Sequence, residues 1–356
     1  MSSTRPTPLT PGEPAPWFTA ATPSNPEFVF DTVGGRYVLL LFLPLDDELR
    51  RRALKALSKN QGLLDDARLS AFIVVRDAQT WAGARDTPAL RWFDDTAGEI
   101  SRRYGALGED GAERPHWLLL DPALRVVAYA PIESAKAIFD ICGRLPPVAD
   151  HAGVRMHAPV LIVPRIFEPG LCRALIELHE ASAADFTGVM RDQGERTVTV
   201  MDELKRRRDM MVRDAAKVDG LKARLEQRLF PMVQRGLGFT ATRIERYLVS
   251  AYDVDEGGVF HAHRDSFTQG TAHRKFAVSI NLNADFEGGD LRFPEFGPDT
   301  YRPPEGGAVV FSTSLLHEAT RVTKGRRYAF LSFLYDEAGA EVLAAYESRV
   351  GRKEPA

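Results

Sequence analysis

The pattern of hydrophobic positions changes along the chain. The first half contains continuous apolar runs, at 37–45 and 69–75, separated by segments with helical spacing. Such runs are typical of strands that are buried on both faces of a parallel or mixed sheet. From residue 243 onward the apolar runs are short and punctuated by glycine, as in a sandwich or jelly roll. The pattern therefore predicts an α/β part followed by an all-β part.

The first half is predicted to be an α/β sandwich, because its strands alternate with helices. A helix is expected from Asp46, where an acidic start precedes apolar residues spaced by four. Further helices are predicted at 96–104 and 132–145, and a hairpin at 116–130. Residues 1–27 are rich in Pro, Ser and Thr, which predicts an extended leader.

A linker is predicted at 146–158, which lacks periodicity and opens with two prolines. We therefore place one domain at 1–150 and a second at 157–340. The segment 198–237 is predicted to be largely helical. Its basic run, 205–208, is interpreted as a solvated helix face rather than as a patch for an acidic partner.

Composition excludes several classes of function. The 356 residues carry a net charge of −3, which gives no overall attraction to nucleic acid or anionic membranes. The two cysteines, Cys142 and Cys172, form no zinc or disulfide framework, and so low a count is typical of a reducing interior. No apolar run is long enough to span a bilayer, and the N-terminus lacks a secretory pattern. A cytoplasmic protein is expected.

The candidate metal ligands are His263, Asp265 and His317. Residues i and i+2 of a strand face the same way, about 6.6 Å apart, so His263 and Asp265 can converge on one ion. His261 has the same parity, but it would lie roughly 13 Å from Asp265. Two imidazoles and one carboxylate form the facial triad of non-haem Fe(II) oxygenases. The alternative is that His-x-Asp is a common tripeptide and that His317 is structural.

Arg327 is the candidate residue for holding a dicarboxylate cosubstrate. A guanidinium can bind a carboxylate through two parallel hydrogen bonds. Arg327 follows Gly325 on the strand predicted after His317. The rival, Arg326, points to the opposite face of that strand.

With these motifs, the second half resembles the 2-oxoglutarate- and Fe(II)-dependent dioxygenases, and most of all the prolyl 4-hydroxylases and related bacterial oxygenases. The resemblance covers about 157–340. It rests on Tyr252, Gly258, Phe260, His263, Asp265, residues 281–283, Phe286, Gly288, Gly289, Leu291, Phe293, Gly306, Ala308, Phe311, His317 and Arg327 followed by Tyr328.

The resemblance implies a double-stranded β-helix, or jelly roll, with supporting helices. It implies Fe2+, 2-oxoglutarate and O2 as cofactors, with ascorbate as an optional reductant. The iron would be held by His263, Asp265 and His317, and 2-oxoglutarate by Arg327 and Tyr252. A C–H bond would be hydroxylated while succinate and CO2 are released, and no catalytic general base is implied beyond the iron centre.

The substrate implied by the resemblance is a peptide, a protein or an amino-acid-like molecule. Asn281 stands where that branch commonly has tyrosine, near the expected pocket, so Asn281 is a candidate substrate-binding residue and argues against assuming proline. The asparagine and the arginine-rich segment of the nucleic-acid demethylases are absent from the sequence. Neither nucleic acid nor a membrane is therefore an expected partner.

The first half resembles peroxiredoxins of the thioredoxin fold over about residues 9–145. Arg51 stands where these proteins carry their nucleophilic cysteine, and arginine cannot supply a thiolate. Cys142 is expected to be a small buried residue, and Pro115 lies where such folds carry a cis-proline. The expected role of this domain is docking, dimerisation as a homodimer, or substrate presentation.

Two other functions stay open at the level of sequence. The chain could be a non-catalytic binding or assembly protein with a degenerate thioredoxin-like domain, although an intact triad argues against this. A thiol peroxidase is the third hypothesis, and Arg51 in place of the nucleophile argues against it.

Overall fold

The computed structural model describes residues 7–351, so the predictions that fall on residues 1–6 lie outside the described residues. Two compact units are present. The first runs up to His157 and includes Pro294–Pro298, and the second comprises Ala158–Phe293 and the chain from Asp299 onward. The division follows His157, inside the segment where the linker was predicted.

The first unit is an α/β structure built on one five-stranded sheet, with β1 and β2 forming a separate pair. The strands of the unit are β1 (Thr19–Thr22), β2 (Asn25–Val29), β3 (Tyr37–Phe42), β4 (Leu69–Val75), β5 (Leu90–Asp94), β6 (His116–Leu120) and β7 (Val126–Pro131). Its helices are α1 (Asp47–Lys59), α2 (Ala78–Ala82), α3 (Glu99–Arg103) and α4 (Ala135–Cys142). The sheet order is β5-β4-β3-β6-β7. Strands β3, β4 and β5 are parallel, whereas β6 and β7 are antiparallel to their neighbours.

The continuous apolar runs form the centre of this sheet, as predicted. Every residue of β3 and β4 is buried, and their side chains divide between two hydrophobic clusters on opposite faces of the sheet. Helix α1 begins after Asp46, whose carboxylate accepts hydrogen bonds from the backbone N–H groups of Glu48 (3.0 Å) and Leu49 (2.8 Å). That cap satisfies two donors that the first turn leaves open.

The prediction of an extended leader is wrong for its last part, because β1 and β2 form an antiparallel hairpin. Aromatic residues fasten this segment to the core. Phe18 stacks on Phe30 with ring centroids 4.6 Å apart, and Tyr104 donates its hydroxyl hydrogen to the carbonyl of Pro16 (2.7 Å). The leader was predicted from its proline and serine content, and the few aromatic residues that anchor it to the core did not enter that prediction.

The first unit places no reactive thiol at the position expected for peroxiredoxins. Arg51 lies exposed on α1. Cys142 is fully buried at the end of α4, and burial raises the pKa of its thiol to about 12. The cis-proline expected at Pro115 is not found, since the described residues contain no cis peptide bond.

The second unit consists of antiparallel sheets with helices. Its strands are β8 (Leu161–Val163), β9 (Asp185–Phe186), β10 (Val189–Gln193), β11 (Arg196–Val200), β12 (Lys205–Arg206), β13 (Arg208–Met211), β14 (Arg243–Asp253), β15 (Val259–His263), β16 (Phe276–Asn281), β17 (Glu287–Gly288), β18 (Leu291–Arg292), β19 (Thr300–Tyr301), β20 (Ala308–Ser312), β21 (His317–Ala319), β22 (Val322–Lys324) and β23 (Arg326–Tyr335). Its helices are α5 (Pro169–Glu180), α6 (Ala215–Arg224), α7 (Phe230–Leu237) and α8 (Glu337–Val350). A π-helical turn, Leu225–Leu229, joins α6 to α7.

Two sheets of the second unit carry the site described below. The larger has the order β8-β20-β16-β23-β14-β13-β9, and the smaller has the order β12-β15-β21-β18-β19. The apolar faces of α5, α6 and α7 pack against the larger sheet in one hydrophobic cluster. The broad prediction of an α/β part followed by a β-rich part with supporting helices agrees with this architecture. No helix within residues 7–351 is both long and apolar enough to cross a membrane.

The predicted helix at 198–237 is wrong for its first third. This stretch forms β11, β12 and β13, and helix α6 begins only after Asp214, whose side chain accepts from the backbone N–H of Lys217. The basic run is therefore not a solvated helix face. Lys205 and Arg207 are buried beside Asp209, so their charges are paired inside the protein. The sequence pattern had instead predicted that these side chains contact water.

Candidate metal centre and cosubstrate pocket

The structure brings together the three residues that the sequence singled out as metal ligands. His263 ends β15, His317 begins β21, and the two residues are directly paired across these strands. Asp265 follows two residues after His263. Its carboxylate oxygens lie 3.6 Å from Nε2 of His263 and 3.3 Å from Nε2 of His317. All three ligand atoms are within 4.8 Å of one another.

Both histidine rings are held so that the same nitrogen faces the carboxylate. Nδ1 of His263 lies 2.8 Å from the carbonyl oxygen of His261, and Nδ1 of His317 lies 3.0 Å from that of Leu315. A carbonyl can only accept, so Nδ1 carries the hydrogen and the Nε2 lone pair is free for a metal. The rival His261 contributes its backbone carbonyl, and its side chain is exposed.

The protonation states at this cluster suit a divalent cation. Burial would raise the pKa of the Asp265 carboxyl, but His317 and His263 beside it hold that pKa well below its usual range. Burial and the neighbouring His317 lower the pKa of His263. An anionic carboxylate and a neutral imidazole are the forms that bind metal. Ligands at right angles on bonds of about 2.1 Å lie roughly 3 Å apart, close to the observed separations.

Asp265 reaches the site from a loop and not from a strand. Strand β15 ends at His263, after an irregularity in its pairing with β21 between Phe260 and His263. The backbone N–H of Asp265 then donates to the carbonyl of Thr313 (3.0 Å), and Arg274 donates to the carbonyl of Asp265 (3.3 Å). Strand parity predicted that His263 and Asp265 converge, and in the structure these loop contacts bring the carboxylate to the histidines.

Arg327 is a buried cation that lines the same pocket as the three ligands. Its Nε donates to Oδ1 of Asn281 (3.1 Å) and its Nη2 to Oγ of Ser279 (2.9 Å). Burial lowers its pKa from the ordinary arginine value. Among residues 7–351 no carboxylate forms an ion pair with it. Arg326, in contrast, pairs with Asp253 and Glu180, so the geometry favours Arg327 as the anion-binding residue.

Asn281, the candidate substrate-binding residue, lies behind Arg327 and does not line the pocket. Its side chain is buried and its amide oxygen accepts from Arg327. Its amide nitrogen donates to the carbonyl of Pro303 (3.0 Å). Both polar atoms of Asn281 are therefore engaged within the protein, the oxygen with the guanidinium and the nitrogen with the backbone. A direct contact between Asn281 and a substrate stays a prediction that this geometry does not favour.

Tyr252 lies beneath Arg327, with the guanidinium carbon 5.3 Å from the ring centroid. Its hydroxyl oxygen accepts a hydrogen bond from Nη1 of Arg207 (3.1 Å). The hydroxyl hydrogen of Tyr252 is thus left to donate elsewhere. This arrangement places a hydroxyl donor beside the buried cation, where both groups can donate to one carboxylate.

Arg207 is the member of this pocket that sequence reasoning missed. It is buried, and its pKa is raised because Asp209 outweighs the cost of burial. Asp209 accepts hydrogen bonds from Arg207 (2.9 Å), Ser250 (2.6 Å) and Lys205 (3.0 Å). The sequence carried no local signal for Arg207, because residues 205–209 are all charged and show no alternation that would indicate one face of a strand.

The pocket is lined by the three candidate metal ligands, by the cation of Arg327 and by apolar side chains such as Leu291. Gly289 makes room for Arg327 at one wall. Its φ of +68° is in the left-handed region, and a Cβ there would meet Val322 at 3.0 Å and Cδ of Arg327 at 3.1 Å. Only glycine combines that conformation with so close an approach.

Comparison with known proteins places the similarity on these same strands. Residues 247–335 match the sequence model of the 2OG-Fe(II) oxygenase superfamily. A PKHD-type hydroxylase of Synechococcus sp. (strain JA-2-3B'a(2-13)) is 27% identical over 122 residues, which cover 31% of this chain and 54% of the relative. A PKHD-type hydroxylase of Psychrobacter sp. (strain PRwf-1) is 30% identical over 94 residues, covering 24% and 36%. The chain thus spans about half the length of the first relative and about a third of the second.

Solved structures also resemble part of the chain. A prolyl-4-hydroxylase of Pseudomonas putida has 18% identity and a TM-score of 0.37, covering 52% of this chain and 95% of that one. A prolyl hydroxylase of Trichoplax adhaerens, solved with a peptide fragment of hypoxia inducible factor, has 16% identity and a TM-score of 0.41, covering 55% and 90%. Likeness at this level carries no weight for function. What the sequence match establishes is that the chain carries a 2OG-Fe(II) oxygenase domain over residues 247–335.

Proposed function

We propose that this chain is an Fe(II)- and 2-oxoglutarate-dependent dioxygenase that hydroxylates a peptidyl or amino-acid-like substrate. The observation that carries the proposal is the meeting of two different sites in one pocket. One is the triad of His263, Asp265 and His317, and the other is the buried, carboxylate-free guanidinium of Arg327. A metal site alone would fit many activities. The pairing with an anion site fits a cosubstrate that is both a metal chelator and an acid.

The residues of this chain have distinct tasks in that scheme. The triad would hold Fe(II) on one face, leaving positions open, and the bound iron supplies the activation of O2. Arg327 binds the far carboxylate of 2-oxoglutarate through the N–H groups that Asn281 and Ser279 leave free. Tyr252 donates its hydroxyl hydrogen to the same carboxylate, because Arg207 already occupies its oxygen as a donor.

The reaction balances without a proton acceptor from the protein. One O2 and one 2-oxoglutarate are consumed, succinate and CO2 are released, and the substrate C–H bond becomes C–OH. One oxygen atom enters succinate and the other enters the product. The apolar walls of the pocket, including Phe311 and Leu291, exclude bulk water from the reacting atoms.

Two measurements test the proposal directly. Anaerobic addition of Fe(II) and then 2-oxoglutarate to the full chain is expected to give the weak visible charge-transfer band of the chelate, and His317→Ala is expected to lose it. Succinate release under air should follow the same pattern. A full chain that binds Fe(II) and 2-oxoglutarate no better than His317→Ala would support the non-catalytic binding protein instead.

We further propose that the first unit is a thioredoxin-like domain without thiol chemistry, which docks or presents the substrate. The strand order supports the fold: β3 and β4 are parallel around helix α1, and β6 and β7 follow antiparallel beside β3. The exposed Arg51 and the buried Cys142 argue against peroxidase activity. A homodimer through this unit stays a prediction.

A further inference from the structure

Arg246 has an unusual backbone conformation in the strand that carries Tyr252. Its φ is +54°, in the left-handed region that residues other than glycine rarely adopt. The pairing of β14 with β23 is irregular between Glu245 and Leu248, and Ser332 donates to the carbonyls of Glu245 (3.2 Å) and Arg246 (2.9 Å). Strained positions of this kind concentrate at functional sites. The irregularity directs a long cationic side chain into the pocket.

The guanidinium of Arg246 has no anionic partner in the described part of the chain. It lies 4.5 Å over the ring of Phe333 and lines the pocket that holds the triad. Its Nε is buried without a hydrogen-bond partner. Two neighbouring arginines differ: Arg207 is paired with Asp209, and Arg274 is paired with Glu245. The nearby carboxylates of Asp209 and Glu245 thus pair with other arginines, and neither forms an ion pair with Arg246.

Arg246 and Arg327 are two separate cations that line one pocket together with the three metal ligands. 2-Oxoglutarate has only two carboxylates. In the proposed function one of them, with the keto oxygen, would bind the metal, and the other would bind Arg327. Neither carboxylate of the cosubstrate is then left for Arg246.

We propose that Arg246 binds a carboxylate of the substrate, so that the hydroxylated molecule is an amino-acid-like acid or a peptide that ends in a free carboxylate. The inference rests on the proposed function, since it assigns the substrate to the cation that the two carboxylates of 2-oxoglutarate leave unpaired. A buried guanidinium without a partner is costly, and a carboxylate restores its hydrogen bonds. An uncharged internal peptide segment would leave Arg246 unsatisfied.

The test compares acids with their amides. Full-length protein loaded anaerobically with Fe(II) and 2-oxoglutarate is titrated in a calorimeter with the twenty N-acetyl amino acids and with the corresponding amides. Alanine pentapeptides ending in each residue, as acid and as amide, separate a free amino acid from a peptide terminus. The expected result is that at least one acid binds about tenfold or more tightly than its amide, as a charge-assisted hydrogen bond allows.

The variants assign that preference to one residue. Arg246→Gln should abolish it, and Arg246→Lys should keep part of it because the charge remains. Arg243→Gln is the matched control, since it removes an exposed charge of the same strand that pairs with Glu337 outside the pocket. The inference is overturned if no acid binds more tightly than its amide, or if Arg246→Gln keeps the preference.

The charge-transfer band distinguishes a failure of the proposed dioxygenase function from a failure of the substrate inference. If wild-type protein shows no band, the proposed dioxygenase function has failed. If the band forms in wild type and in Arg246→Gln alike while neither discriminates acids from amides, only the substrate inference has failed. Arg246→Gln should bind 2-oxoglutarate within about twofold of wild type, because the far carboxylate is bound by Arg327 and Tyr252 and not by Arg246.

Discussion

The arginines of the pocket differ in whether a carboxylate accompanies them. Arg207 and Arg274 are each paired with an acidic side chain of the same unit, so they are structural charges. Arg327 and Arg246 line the pocket with no such partner among the described residues. In a low-dielectric site a cation without a counter-charge is a binding determinant for an anion. In the sequence, the position of Arg327 shortly after His317 indicated an anion-binding role. No such spacing indicated a role for Arg246.

Asn281 is expected to act on cosubstrate binding and not on substrate choice. Asn281→Ala removes the acceptor for Nε of Arg327, so the guanidinium loses one of its two side-chain contacts. A lost hydrogen bond to a charged group costs about 1.5–3 kcal/mol, which predicts that the Kd for 2-oxoglutarate rises roughly ten- to a hundredfold. Anaerobic calorimetry measures it.

The control for this prediction is Asn283→Ala, at a half-buried position two residues further along the same segment. Asn283 contacts the backbone of Arg326 and Tyr328 and not the guanidinium of Arg327. It should leave the Kd for 2-oxoglutarate nearly unchanged. An Asn281→Ala variant with a normal Kd for 2-oxoglutarate and an altered preference among substrates would restore the original assignment of Asn281 to the substrate.

At the scale of elements, β14 connects the chemistry of the pocket to the stability of the sheet. The strand carries Tyr252 at one end, and at its irregularity it carries Glu245, which accepts from His273 (2.8 Å) and from Arg274 (2.6 and 2.7 Å). Arg274 in turn supports the loop of Asp265. A disturbance at Glu245 is therefore expected to weaken the fold around the metal ligands.

Acid should destabilise the protein through Glu245. Burial raises its pKa, but the hydrogen bond from His273 and the charge of Arg274 outweigh burial and hold the pKa at about 2, below the ordinary 4.5. The stabilisation is complete above about pH 4.5 and is lost as the pH falls toward 2. Urea unfolding of Glu245→Gln should show a deficit of roughly 3 kcal/mol at pH 6 that shrinks in acid.

A comparison of unfolding free energies at pH 6 and pH 3.5 isolates this contribution, because the neutral form of Glu245 resembles glutamine. Arg243→Gln, which removes an exposed ion pair of the same strand, should differ from wild type by less than about 1 kcal/mol at both values. A Glu245→Gln deficit that stays constant with pH would contradict the assignment.

At the scale of the whole molecule, each unit has its own core and a different relation to the chemistry. The proposed catalytic groups all lie in the second unit, and the two cysteines are buried thiols, with burial raising the pKa of Cys142 to about 12 and of Cys172 to about 11. Thiols of this kind do not supply a thiolate near neutral pH. We therefore expect no thiol chemistry from Cys142 of the first unit, in keeping with the docking role proposed for that unit.

The double variant Cys142→Ala and Cys172→Ala is expected to keep succinate release within about twofold of wild type, a difference of about 0.4 kcal/mol in activation free energy. Its thermal stability should fall, because two buried side chains lose volume. Parallel assays with hydrogen peroxide should give no protein-dependent consumption in either form. Peroxide turnover that disappears in the double variant would revive the thiol peroxidase.

The sequence predicted the elements whose signals are local. The runs that became β3 and β4, and the spacing of His263 and Asp265, could be used because strand burial and side-chain parity are short-range patterns. His317 lies 54 residues beyond His263, and its residue type and the family resemblance indicated it. Arg207 and Arg246 could not be identified in that way. Their roles depend on which carboxylates lie nearby once β12, β13, β14 and β23 have paired, and long-range pairing is not encoded in the neighbouring residues.

The two carbonyls that orient His263 and His317 have a consequence for metal selection. Because each ring is fixed before any ion arrives, the site offers its three donors without reorganisation, and it offers them to every divalent ion of suitable size. Zinc and copper bind such donors more tightly than ferrous iron in the Irving–Williams series. The donor set contains nothing that excludes these ions. We therefore expect zinc and copper to compete with ferrous iron for this site.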